Sequence, residues 1–292
     1  MKTLRDFVKK LKKIEFHMRT RTHEAIAGSY HSAFKGRGMS FSECKAYEEG
    51  DDVRYIDWHA SARQQGVFVK RFVEERELSV WIVLDLSRSM QFGSVGVTKA
   101  EAAIEAMAVM AFSALYNNDR VGLIIFDGCG SKIVPQLKGK RQIFRFIVEA
   151  LQYAPKGEAC RISEALMQVA QLAKRRSLVF VIGDFVRPSY ETELKRLAHR
   201  HEVIPVVVSD PLEYDLPDLG MCIFEDPESH RVLLCDTSRG AVRSQIARQF
   251  EERRTQQGVI FKRARVAPVC LSTTSDVLRP LSLAFDVRSR HV

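Results

Sequence analysis

Residues 79–89 read Ser79-Val80-Trp81-Ile82-Val83-Leu84-Asp85-Leu86-Ser87-Arg88-Ser89. The five apolar residues from Val80 to Leu84 run without polar alternation, the pattern of a strand covered on both faces, which occurs in sheets with helices packed above and below. Asp85 closes the run, and Ser87 and Ser89 follow at two-residue spacing in what reads as a turn. Working outward, similar runs recur at 119–126, 177–182 and 203–208, and between them lie helical periodicities at 99–116, 140–151, 162–174 and 190–200. Strand and helix in alternation imply right-handed parallel crossovers. The expected fold class is therefore α/β, a doubly wound and mainly parallel sheet.

The flanks are less regular. A small hairpin is expected at 221–236, pairing 221–224 with 232–235 through Asp226-Pro227-Glu228-Ser229. Residues 239–257 read as a helix, 259–265 as a further strand, and Ser275 opens a final short helix near Asp276 and Pro280. At the other end, Leu4, Phe7, Val8, Leu11 and Ile14 fall at helical spacing among basic residues, predicting an amphipathic helix over 3–18. Residues 28–72, rich in Gly, Ser, Asp and aromatics, read as irregular. The expected organisation is an N-terminal helical and irregular extension over 1–76 and an α/β domain over 77–292.

Composition narrows the function. In a chain of 292 residues with 46% hydrophobic content there is enough apolar material for a sizeable core. The apolar runs are strand-length, well short of the roughly 20 residues of a membrane span, and the N-terminus lacks the apolar block of a signal peptide. The cytoplasm is the expected compartment. Six cysteines, with no CxxC pair, argue against a zinc site and a disulfide framework. The net charge is +9. Residues 1–21 hold Lys2, Arg5, Lys9, Lys10, Lys12, Lys13, Arg19 and Arg21 against Asp6 and Glu15 alone. That excess suits an acidic partner, an anionic membrane surface or nucleic acid, and equally a solvated helix face.

Sites in open α/β sheets form where strands end and loops enter the next helix. Asp85 sits at one such end, and Asp184 closes a second apolar run, Val179-Phe180-Val181-Ile182. A carboxylate with two serine hydroxyls at alternate positions supplies hard oxygen ligands of the kind magnesium or manganese takes. Each piece alone is as often a cap or a serine-rich turn. Gly50-Asp51-Asp52 and Asp57-Trp58-His59 invite an acid/base reading, but alternating Arg54, Asp57, Arg63, Lys70, Arg71 and Glu74 more often build ion pairs. No GxSxG, GxxxxGK[ST], HExxH or GxGxxG is present.

Asp85-Leu86-Ser87-Arg88-Ser89-Met90, with the later Ile182-Gly183-Asp184-Phe185, resembles the metal-ion-dependent adhesion site of von Willebrand factor A domains. The stretches 28–41, 47–58 and 69–78, with Glu225-Asp226-Pro227-Glu228 and Leu234-Cys235-Asp236-Thr237, resemble the bacterial family catalogued as domain of unknown function number 58. The resemblance implies a von Willebrand A-like, non-enzymatic interaction module working with a MoxR-type AAA+ ATPase in assembling or activating client proteins. It also implies metal contacts from Asp85, Ser87, Ser89 and Asp184. Cys160 stands where that site expects threonine, and a soft thiol is a poor magnesium ligand. The alternative expectation is a basic protein of membrane surfaces or nucleic acid.

Overall fold

The computed structural model describes residues 40–64, 66–73, 77–94, 96–156, 162–187, 189–225 and 232–289. The described residues divide into two units, 40–78 and 79–289. The amphipathic helix expected at 3–18 and the turn at 226–229 lie outside them.

In the first unit, β1 (Ser40–Ala46) pairs antiparallel with β2 (Phe68–Val73), with a bulge between Phe41 and Glu43. The short helix α1 (Trp58–Gln64) lies between them in sequence. Asp57 Oδ1 accepts the amides of His59 and Ala60 at its start, 3.0 and 3.1 Å. Ser61 Oγ donates to the Asp57 carbonyl and accepts from Phe68 N–H, which ties helix to strand. The expectation of irregular structure over 28–72 is thus corrected in its described part. Lys45–Asp51, Arg54–Asp52 and Lys70–Asp57 pair within the unit.

The second unit runs β3 (Ser79–Asp85), α2 (Lys99–Tyr116), β4 (Arg120–Phe126), β5 (Ser131–Leu137), α3 (Lys140–Leu151), α4 (Ile162–Leu172), β6 (Leu178–Gly183), α5 (Glu191–Arg200), β7 (Glu202–Ser209), β8 (Met221–Glu225), β9 (Val232–Asp236), α6 (Gly240–Arg263), β10 (Val269–Ser272) and α7 (Leu278–Ser289). The main sheet has the order β10-β7-β6-β3-β4-β5, parallel throughout except for antiparallel β5 at one edge. This is the doubly wound, mainly parallel sheet expected from the sequence. β8 and β9 form a separate antiparallel pair, with Cys222 opposite Cys235.

The apolar runs fill the centre of the sheet because both faces are covered. On one face Trp81, Val83, Ile124, Val179 and Val181 pack with Leu166 of α4, Leu194 of α5 and Ile260 and Phe261 of α6. On the other, α2 packs over β3 and is buried on nearly every side from Lys99 to Ala114. Phe285 of α7 meets Phe180 of β6 edge to face, ring centres 6.2 Å apart. Each fully buried Val, Ile, Leu or Phe stabilises the fold by about 1.5–3 kcal/mol. Thr98 and Glu101 form a reciprocal capping box, which is why α2 starts where it does. Among the described residues no helix is long and apolar enough to cross a membrane.

One expectation is corrected here, and one strand carries no sequence signal. Val259-Ile260-Phe261 is no strand but the last part of α6, and Ile260, Phe261 and Ala264 enter the core at helical spacing. The last strand of the sheet is instead β10, four residues that pair with β7. β5 was not anticipated at all. It is an edge strand whose side chains are mostly exposed and which contains Pro135, both features of strands with only one neighbour.

Candidate functional site

β3 and β6 are neighbours in the sheet, so Asp85 at the end of one and Asp184 just past the other are brought to the same edge. Both are buried. Asp85 Oδ1 accepts the Ser87 amide at 2.9 Å, which folds the loop back onto the strand end. The Ser87 and Ser89 hydroxyls lie 3.1 Å apart, and Ser89 Oγ donates to Asp184 Oδ2 at 2.7 Å. Gly183 makes this approach possible: a Cβ there would sit 3.0 Å from the Asp85 Cβ and 3.1 Å from its Oδ2.

A residue not singled out in the sequence completes the cluster. Lys99, the first residue of α2, has a side chain only 2% exposed and sends its ammonium to Asp184 Oδ2 at 3.0 Å and to Glu213 Oε1 at 2.7 Å. Burial alone would lower its pKa; the charges of Asp184 and Glu213 and their hydrogen bonds reverse the sign and raise it, so Lys99 stays an ammonium. It also stands at the positive pole of a helix, where a cation is disfavoured. Two opposing effects are therefore overcome by two carboxylates in direct contact.

Glu213 is fixed in turn by a second capping box. Its carboxylate accepts the Asp210 amide at 3.0 Å, while Asp210 Oδ1 accepts the Leu212 amide at 2.9 Å. Asp210 Oδ2 accepts Ser94 N–H at 2.9 Å and the Thr273 hydroxyl at 2.6 Å. The segments that follow β3, β6, β7 and β10 are thus stitched together by one buried polar network. Behind Asp184, Phe185 takes a left-handed conformation with φ 52°, costing about 1–2 kcal/mol for a non-glycine residue. Gln257 Nε2 of α6 holds it by donating to the Asp184 and Phe185 carbonyls at 3.0 and 2.9 Å. The Phe185 ring packs edge to face on Tyr190 and Phe261, each 5.3 Å away.

Of the four oxygen-bearing residues singled out by sequence, Ser89 meets both Ser87 and Asp184, and Asp85 anchors the same loop. Cys160 lies outside the described residues. The donor chemistry suits magnesium or manganese, but the arrangement as it stands does not fit a dication. Asp184 Oδ2 already takes a hydroxyl proton and an ammonium. An ion bound to that oxygen at about 2.1 Å would lie within about 5 Å of Lys99 Nζ. At an effective dielectric near 20 that repulsion is about 6–7 kcal/mol, which offsets a good part of the ion's attraction to the carboxylate it would bind.

Elsewhere, Asp57 is committed to the start of α1 and to Lys70, and His59 is exposed. A cavity of about 410 Å³ opens beside the end of β4, lined by Asp127, Cys129, Lys132, Glu149 and Tyr153. Asp127 there accepts the amides of Cys129, Gly130 and Lys156, so it closes a loop. Around the buried network the loops carry exposed apolar groups: Phe92 after β3, Val186 after β6 and Tyr214 after β7, at 42, 37 and 42% exposure.

A doubly wound sheet whose central strand ends in Asp-x-Ser-x-Ser, with a second aspartate at the end of its neighbour, is a von Willebrand factor A-like unit. The family described as Protein of unknown function DUF58 matches residues 43–256, and the chain belongs to it. An uncharacterized protein of Mycobacterium tuberculosis is 29% identical over 222 residues, 75% of this chain and 70% of that one. A shorter uncharacterized protein of Mycobacterium avium is 32% identical over 77 residues, 26% of this chain and 46% of that one. Among solved structures, the conserved hypothetical protein BatB from Bacteroides thetaiotaomicron is similar at 17% identity and a TM-score of 0.47, covering 73% of this chain and 99% of that one. The SpRpn10 VWA domain is similar at 14% identity and a TM-score of 0.41, over 70% and 94% of the two chains.

Proposed function

We propose that the α/β unit is a protein-docking module rather than an enzyme, and that it works with a MoxR-type AAA+ ATPase in the assembly or activation of client proteins. Its contact surface is the end of the sheet where β3, β6 and β7 finish. The observation that carries this reading is the pairing of exposed Phe92, Val186 and Tyr214 with the buried network beneath them. Aromatic anchors on adjacent, well-held loops are what a protein interface uses for most of its affinity. The carboxylates that an enzyme would employ as acid or base, Asp184 and Glu213, are instead engaged by Lys99 and Ser89. In this reading Asp85, Ser87, Ser89 and Asp184 form a degenerate adhesion-type site that acts as scaffold.

The test is the affinity of the full chain for a purified MoxR-type ATPase, measured by biolayer interferometry in each nucleotide state. Phe92→Ala and Tyr214→Ala are each expected to weaken binding about tenfold or more, about 1.4 kcal/mol. Ile133→Ala, at an exposed position on edge strand β5, should leave it unchanged. Absence of binding in every nucleotide state refutes the partner, and an equal loss with Ile133→Ala refutes the location.

A further inference from the structure

We propose that Lys99 is a built-in cation standing in for a metal: its ammonium locks the loops at the strand ends, so docking through this surface is independent of divalent ions. The position of the side chain carries the argument. From the first turn of α2 it reaches across to the segments after β6 and β7 and bonds one carboxylate from each. These bonds span 85 and 114 positions of sequence, the long-range bridging that a bound ion provides in an oxygen-lined site.

The substitution of an ammonium for an ion changes what the site can do. A metal with an open coordination position accepts a carboxylate from a partner, whereas an ammonium has only three donors, and two of these are given to Asp184 and Glu213. With 2% of its side chain exposed, Lys99 is out of reach of a partner's acidic residue. Recognition then falls to the rim, and the buried cluster sets the rim's shape. The energetic logic also explains why Lys99 is tolerated at the positive end of a helix: leaving Asp184 and Glu213 to face each other without a cation costs more. The inference concerns the same end of the sheet as the docking reading, but its experiment needs no partner, so either can fail alone.

Mn²⁺ is titrated by calorimetry into the full chain, with thermal midpoints recorded in chelator and in millimolar Mn²⁺. The wild type is expected to show no saturable binding and no shift in midpoint. Lys99→Met, which empties the cation position without adding a charge, is expected to bind Mn²⁺ saturably, at least about tenfold tighter than the weakest affinity the titration can read, and to be stabilised by it. Should that variant fold poorly, Lys99→Met combined with Glu213→Gln removes one carboxylate along with the ammonium and carries the same expectation. Saturable Mn²⁺ binding by the wild type that disappears in Asp184→Asn overturns the proposal. So does a folded Lys99→Met, alone or with Glu213→Gln, that gains no affinity.

Discussion

Replacing Asp210 by asparagine tests whether the polar network holds the strand-end loops. Asp210 is fully buried and accepts three hydrogen bonds, from Ser94 N–H, Leu212 N–H and the Thr273 hydroxyl. Hydrogen bonds to a charged acceptor contribute about 1.5–3 kcal/mol each, but three on one carboxylate are coupled, and asparagine keeps one oxygen. The expected loss at neutral pH is about 2–4 kcal/mol. Burial opposes the Asp210 charge, yet the bonds from Thr273, Ser94 and Leu212 outweigh it and hold the carboxyl below its ordinary range. A group with a lowered folded pKa contributes stability that is complete above its unfolded pKa, about 3.9, and is lost as pH falls through the folded value. The gap between wild type and Asp210→Asn should therefore be constant from neutral pH to about 5 and shrink below about 4. Urea unfolding followed by Trp81, buried in β3, in a Trp58→Phe background reads this unit. With m near 2–3 kcal/mol per molar, the midpoint should fall by about 1 M. A midpoint unchanged at neutral pH, or a gap that persists undiminished at low pH, refutes the assignment of a charged staple to Asp210.

Two further outcomes follow from the packing. Gly183→Ala places a methyl 3.0–3.1 Å from the Asp85 side chain and should lower stability by about 1–3 kcal/mol, read as a drop in thermal midpoint; no drop would mean that Asp85 can move aside freely. Gly258→Ala should raise stability by about 0.5–1 kcal/mol, because residue 258 is helical and a Cβ there meets nothing within 4 Å; a loss would argue that α6 does not continue through it.

The fold was legible wherever burial on both faces imposed a pattern. α2 and α3 lie at 99–116 and 140–151 as their periodicity indicates, and β3, β4, β6 and β7 fall within a residue or two of their apolar runs. β5 escaped because a strand with one neighbour and exposed side chains leaves no hydrophobic signature. The end of α6 was misread because Val259, Ile260 and Phe261 are adjacent, and three apolar neighbours fit a short strand as well as a helix turning its inner edge to the core. At the site, the residues fixed by local geometry, Asp85, Ser87, Ser89 and Asp184, were visible as strand ends and turn. Lys99, Glu213, Asp210 and Gln257 were not, since their roles arise only when distant segments meet. Lys99 left one trace: a lysine directly after an N-cap threonine, where the helix favours an acid, calls for a compensating partner.

The left-handed turn at Phe185 also bears on where the chain can be cut. The family match ends at residue 256, one position before Gln257. A fragment ending there would retain Asp85, Ser87, Ser89, Lys99, Asp184 and Glu213, every residue of the cluster itself. It would lack Gln257 and Phe261, which clamp the Phe185 turn, and Thr273, which anchors Asp210. Relieved of that clamp, the turn would relax toward an ordinary conformation and carry the Asp184 carboxylate with it. The smallest piece that keeps the arrangement intact therefore extends through β10 to the threonine just beyond it.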